Sequence, residues 1–182
     1  MAKKRVAMNI IDLTLPLFDG MPVYPGDPDV HIKQVHTLAQ HGWNMATVSF
    51  PTHIATHVNV PLHMVENGKT LDDFPLDSFF GEAELYKPGM EFSFERGVIF
   101  AQENLTSEIV KQMLVTPPKF FGLSSEFEFD LELEKRTLER EIISFENLAN
   151  TDQLPRRFIF YGVPLKLREG DGSPVRAFAV LE

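Results

Sequence analysis

Three imidazoles and one amide are packed into eleven residues, His53-Ile54-Ala55-Thr56-His57-Val58-Asn59-Val60-Pro61-Leu62-His63. Neutral imidazole nitrogen suits Zn²⁺ or Mn²⁺, and two histidines plus carboxylates with an open position describe a catalytic site rather than a structural one. Such an ion lowers the pKa of a bound water toward about 7 and polarises a carbonyl. The third histidine, far along the chain, is then free to shuttle a proton to a leaving group. The combined chemistry is hydrolysis of an amide or ester. A serine nucleophile is the weaker reading: no Gly-x-Ser-x-Gly elbow exists, and Ser124-Ser125 is the only faint candidate.

Those side chains converge only if the backbone allows it. In an extended segment His53, His57, Asn59 and His63 share one face, while Ile54, Val58, Val60 and Leu62 anchor the other with Thr56. A helix would also pair His53 with His57, at i and i+4. Pro51 and Pro61 bracket the stretch and β-branched residues fill it, which favours strand or loop. A straight strand would hold His53 and His63 roughly 30 Å apart, at about 3.3 Å per residue, so the chain must bend if they act together.

The surrounding pattern is rich in strands. Ile10 to Leu15, Val30 to Val35, Gly81 to Tyr86, Gly97 to Phe100, Lys119 to Leu123, Arg157 to Tyr161, Val163 to Leu167 and Val175 to Leu181 read as strands, the last entered through a hairpin turn at Gly170-Asp171-Gly172. Met45 to Phe50 reads as a strand that feeds the histidines from the sheet. Thr106 is an N-cap for a helix through Leu114, stopped by Pro117-Pro118. Phe127, Phe129, Leu131 and Leu133 alternate with acids as in an amphipathic strand, with a short charged helix toward Ile143. The fold class is α+β, in one domain spanning 1–182. His31, His36 and His41 read as surface or packing residues.

Composition narrows the partners. A formal charge of −9 repels nucleic acid and anionic lipid. No window approaches the roughly 20 apolar residues of a membrane span, and Met1-Ala2-Lys3-Lys4-Arg5 is not followed by a signal-peptide core. The absence of cysteine fits a cytoplasmic protein and leaves any metal to nitrogen and oxygen ligands.

The stretch resembles the signature His-x-Gly-Thr-His-x-Asp-x-Pro-x-His of the cyclase-like metal hydrolases, which include bacterial kynurenine formamidase and isatin hydrolase. His53, Thr56, His57, Pro61 and His63 match it in place. Pro22-Val23-Tyr24-Pro25-Gly26-Asp27, Gly81, Phe145-Glu146-Asn147-Leu148, Val163-Pro164-Leu165-Lys166 and Gly172-Ser173-Pro174-Val175-Arg176 resemble further segments in the family's order. The resemblance implies a swivelling β/β/α domain with a barrel-like sheet, dimeric or larger. It makes His53 and His57 ligands of Zn or Mn, Glu146 a further ligand and His63 the general acid/base. Tyr24 would flank an aryl substrate. The implied activity is hydrolysis of an aryl formamide, as in tryptophan catabolism, or of a cyclic amide. Four positions depart from the pattern: Ala55 replaces a glycine, Asn59 a metal-binding aspartate and Ser124 or Ser125 a further aspartate, and Glu134 stands near where a histidine ligand is usual. Two explanations follow. Either Asn59 and Glu134 are a compensating exchange around one ion rather than two, or the site has drifted and the chain serves binding or assembly.

Overall fold

The computed structural model describes residues 8–181; the Met1–Arg5 segment lies outside them. Nine strands form one mixed sheet: β1 (Asn9–Asp12), β4 (His57–Asn59), β5 (Phe80–Leu85), β6 (Gly97–Phe100), β7 (Phe121–Ser124), β8 (Ser144–Leu148), β9 (Arg157–Tyr161), β10 (Gly172–Pro174) and β11 (Phe178–Leu181). Their order is β1-β11-β9-β5-β6-β7-β8-β4-β10, with β5 through β8 parallel and the flanks antiparallel.

Connectivity forces this sheet to curl. Laid flat, β10 and β11 would stand seven strand spacings apart, roughly 34 Å at about 4.8 Å each. Only Val175, Arg176 and Ala177 join them, a reach of at most about 14 Å. The ends therefore approach one another, and hydrogen bonds across the seam hold them: Ala149 N donates to Leu13 O at 2.9 Å and Leu15 N to Thr56 Oγ1 at 2.8 Å. The result is the barrel-like α+β architecture expected from the sequence.

Period-two alternation sorts the strand side chains into two cores. Val58, Val60, Ile99, Phe120, Phe145 and Phe160 fill the concave side. Val98, Phe100, Phe121 and Leu123 point outward beneath α2 (Ser107–Val115) and α3 (Leu131–Glu139). Thr106 caps α2 as read, its Oγ1 accepting from Ile109 N at 3.3 Å, and Ile109, Val110 and Met113 make its buried face.

Four readings of the sequence need correction. Phe127 to Leu133 is not a strand: Asp130 accepts from Glu132 N and Leu133 N at 3.0 and 3.1 Å and so starts α3, whose buried face is Glu134, Thr137 and Leu138. The helical repeat around that cap overrides the short alternation before it. Met45–Ser49 (β3) does not belong to the main sheet; it pairs with β2 (His31–His36) in a separate ribbon and is exposed throughout, around a short helix α1 (Leu38–His41). Val163–Leu167 makes a single bridge, Pro164 to Val175, because its neighbours are prolines and turn residues. Gly172 does not open a hairpin with the last strand; Gly172–Pro174 pairs instead with His57–Asn59.

Candidate functional site

The histidine stretch joins the main sheet only over three residues, and strand register then builds the cluster. On one side β4 faces β8, with His57 opposite Glu146 and Asn59 opposite Ser144. On the other side it faces β10, with Asn59 opposite Gly172. Directly opposed residues share a face of the sheet, so His57, Asn59, Ser144 and Glu146 gather on the side away from Val58 and Phe145. Helix α3 covers that face and adds Glu134. Beyond Asn59 the chain turns at Pro61 into a 3₁₀ turn, Pro61–His63, which folds His63 back until its ring centroid lies 3.7 Å from that of His53. The required bend is therefore present.

Asn59, fully buried, is the hub. Its Nδ2 donates to Glu134 Oε1 at 2.7 Å, to Glu146 Oε1 and to Ser144 Oγ at 3.3 Å, and its Oδ1 lies 2.7 Å from His53 Nδ1. An amide carries two N–H protons, so three acceptors oversubscribe it. Two of the departures from the family pattern, Asn59 and Glu134, are thus hydrogen-bonded directly to each other.

His57 is held through one nitrogen and aimed with the other. Nδ1 donates to Ala55 O at 2.9 Å, which leaves the Nε2 lone pair facing Glu146 Oε1 at 3.7 Å. Burial, outweighing the nearby Glu146, lowers the His57 pKa, so the ring is neutral and this approach is not an ion pair. His63 is also neutral: burial and then the neighbouring His53 push it down to about 4, and its Nε2 stands 4.0 Å from Glu134 Oε1. Glu134 moves the other way, up to about 9, through burial first and the adjacent Glu146 carboxylate second. A lone pair against a carboxylate, and two carboxylates crowded on one amide, is an arrangement that a cation relieves.

Stability should report this charge pattern. Between its ordinary pKa of 4.5 and about 9, Glu134 is protonated folded and ionised unfolded, so metal-free protein loses stability as pH rises through that window. His63 and His57 work oppositely, costing stability as pH falls below 6.5. In chelator, unfolding free energy is expected to peak near pH 6.5 and to fall on the alkaline side by up to about 1.4 kcal/mol per pH unit, with melting temperature following the same profile. Glu134→Gln should flatten that alkaline limb. An unchanged limb in the variant would contradict the assignment.

Ala55 sits at φ +50°, the left-handed region, and this conformation points its carbonyl at both His57 Nδ1 and Asn147 Nδ2 (3.1 Å). An L side chain there costs about 1–2 kcal/mol. Ala55→Gly is therefore expected to be neutral or stabilising by up to about 1 kcal/mol, after the added entropy of the unfolded chain. Ala55→Val should cost about 2 kcal/mol or more. Urea unfolding of the two variants reads both signs.

The sequence missed two members of the cluster. Asp171 Oδ2 lies 2.9 Å from His53 Nε2, and Asp171 forms with His53 and His63 a group whose ligand atoms fall within 4.8 Å of one another. Ser144 is fully buried and bonded to Asn59. Gly-Asp-Gly reads only as a turn, and nothing local marks the serine. Tyr24, 68% exposed in the proline-rich loop, is outside the bonded network, and Trp43 packs edge-on to His36, with centroids 5.2 Å apart. His36 in turn stacks on His41.

Among the described residues, His53, His63 and Asp171 are the group whose ligand atoms converge closely enough to hold an ion, and His53, His57, Glu134, Glu146 and the Asn59 amide oxygen offer nitrogen and oxygen atoms of the kind Zn²⁺ and Mn²⁺ accept.

Comparison with known proteins agrees in fold. The kynurenine formamidase of Salinibacter ruber is 26% identical over 207 residues, covering 93% of this chain and 96% of the relative. Isatin hydrolase A from Ralstonia solanacearum superposes with a TM-score of 0.78 at 18% identity, over 96% of this chain and 92% of that one. A potential metal-dependent hydrolase with cyclase activity superposes at 0.75 and 22% identity, over 96% and 98%. At these identities the solved structures speak for the fold alone. The Cyclase family model matches residues 11–114, more than half of the chain and the whole histidine signature. The chain belongs to the Cyclase family.

Proposed function

We propose that the chain is a metal-dependent hydrolase of a non-peptide C–N bond, acting on an aryl formamide such as N-formylkynurenine or on a cyclic amide. One observation carries this reading. His57 is neutral, tied at Nδ1 to Ala55 O, and directs its free Nε2 lone pair at a carboxylate oxygen 3.7 Å away. His53, His57, Glu134 and Glu146 would hold the ion, with the Asn59 carbonyl as a neutral contact. Two glutamate charges balance one divalent cation, so one Zn or Mn is favoured over two.

When bound, such an ion supplies an acidified water and a positive charge for the developing oxyanion. His63 does the proton work. It is neutral at pH 7 and partly exposed beside Glu134, so it can take a proton from the attacking water. The water oxygen adds to the carbonyl carbon, the C–N bond breaks, and the nitrogen leaves with the proton that His63 returns. Covered by α3, the cluster keeps bulk water from competing with these contacts.

The whole chain would act as this one domain on a small molecule in the cytoplasm, with neither nucleic acid nor membrane as partner; no helix among the described residues is long and apolar enough to cross a membrane. A homodimer or larger assembly belongs to the same reading. The β2–β3 ribbon exposes Trp43, Met45 and Val48, which a second copy would cover. Tyr24, exposed beside it in sequence, is then available to an aryl ring.

A second reading has its own observation. Asn59 bridges Glu134 and Glu146 by hydrogen bonds, so both carboxyl groups already have a donor from the protein itself. In that case the chain is a catalytically impaired homologue used for ligand binding or assembly. Metal analysis of protein purified without added metal, combined with an N-formylkynurenine hydrolysis assay, separates the two. The enzyme reading expects close to one equivalent of Zn or Mn, with turnover that His63→Ala cuts by about 10²–10⁴ while the metal stays. An empty protein without turnover would favour the second reading.

A further inference from the structure

Resting on the metal-site reading above, we propose that Asp171 is a positioning residue for His53. Its carboxylate fixes the Nε2 edge of the ring so that the Nδ1 edge is presented to the cluster. The two edges of His53 are distinct in their surroundings: Nε2 lies 2.9 Å from Asp171 Oδ2, and Nδ1 lies 2.7 Å from the Oδ1 of Asn59. His57 is treated alike by a different acceptor, with Nδ1 on the Ala55 carbonyl and Nε2 toward Glu146. In both rings one nitrogen is tied to an oxygen whose backbone is fixed, and the other is aimed inward. That is how ligating imidazoles are held, the outer partner setting tautomer and ring angle.

The backbone around Asp171 is itself pinned. Its carbonyl accepts from Val60 N at 3.2 Å, and the residues on either side are fixed by Leu71 N to Gly170 O at 2.9 Å and by the pairing of Gly172 with Asn59. Gly172 also lets the ring come close, since a Cβ there would lie 2.5 Å from His53 Cε1. The residue that orients His53 and the one that makes room for it are therefore adjacent in the chain. They are delivered together by the short strand β10.

The competing arrangement is a direct one, with Asp171, His53 and His63 as ligands of a cation at the mouth. His53 Nε2 cannot both donate to Asp171 and coordinate, so the two arrangements exclude each other. Wild type, Asp171→Asn and Asp171→Glu should be compared for Zn²⁺ and Mn²⁺ affinity by chelator competition. The visible spectrum of Co²⁺-loaded protein and thermal melts in chelator complete the test. Positioning expects one equivalent in all three, affinity about 10–100-fold weaker in Asp171→Asn with an altered Co²⁺ spectrum, substantial recovery in Asp171→Glu, and similar metal-free melts. Equal affinity and spectrum in wild type and Asp171→Asn would overturn the positioning role and leave the metal site standing. Loss of the bound equivalent in Asp171→Asn, with no recovery in Asp171→Glu, would overturn it in favour of direct ligation. A wild type that takes up no metal would bring down the site and this role together.

Discussion

His57→Ala protein is expected to bind Zn²⁺ or Mn²⁺ at least about 100-fold more weakly than wild type and to lose amide hydrolysis beyond detection. The size of the effect follows from how much converges on this ring. It is buried, its tautomer is fixed by the Ala55 carbonyl, and its register partner across β4 and β8 is Glu146. Truncation removes a proposed ligand and also leaves the Glu146 oxygen facing a void. His57→Gln serves as the control for packing, since it fills much of the space without an imidazole. Titration calorimetry with both metals reads the affinity. A variant that kept wild-type affinity would remove His57 from the ligand set.

The second large effect is Asn59→Asp. Asn59 donates to two glutamates and Ser144, so an aspartate in its place puts a third carboxylate where a donor stood. In chelator this should cost on the order of 3 kcal/mol, the penalty of leaving buried charges without a partner. With Zn²⁺ or Mn²⁺ in excess the sign reverses, because the new carboxylate is a charged ligand. The gap between the metal-loaded and chelated melting temperatures should therefore widen well beyond that of wild type. An aspartate variant as stable as wild type in chelator would show that Glu134 and Glu146 do not depend on the Asn59 amide.

Why some of this site is legible in the sequence and some is not comes down to separation along the chain. His53, His57, Asn59 and His63 fall in one short segment, so period-two alternation places His57 and Asn59 together and Pro61 supplies the bend. Glu146 and Glu134 enter only through family resemblance, since no local pattern singles them out among the chain's 26 acidic residues. Asp171 meets His53 across 118 residues, a contact made by the pairing of β10 with β4, and its Gly-Asp-Gly setting has the composition of an ordinary turn. The same logic explains the misread elements. Thr106 announces α2 because cap and apolar repeat coincide, whereas Asp130 announces α3 in the middle of an alternating run of phenylalanines and acids. Ala55 stands at a positive φ that its sequence context does not announce, on the carbonyl that orients His57.

Zinc-edge anomalous diffraction from crystals soaked in Zn²⁺ addresses the central claim most directly. The expected result is one strong peak per chain, bounded by His53, His57, Glu134 and Glu146, with the Asn59 amide displaced from its bridge between the glutamates. A featureless map there, with Asn59 still joined to both carboxylates, would contradict it.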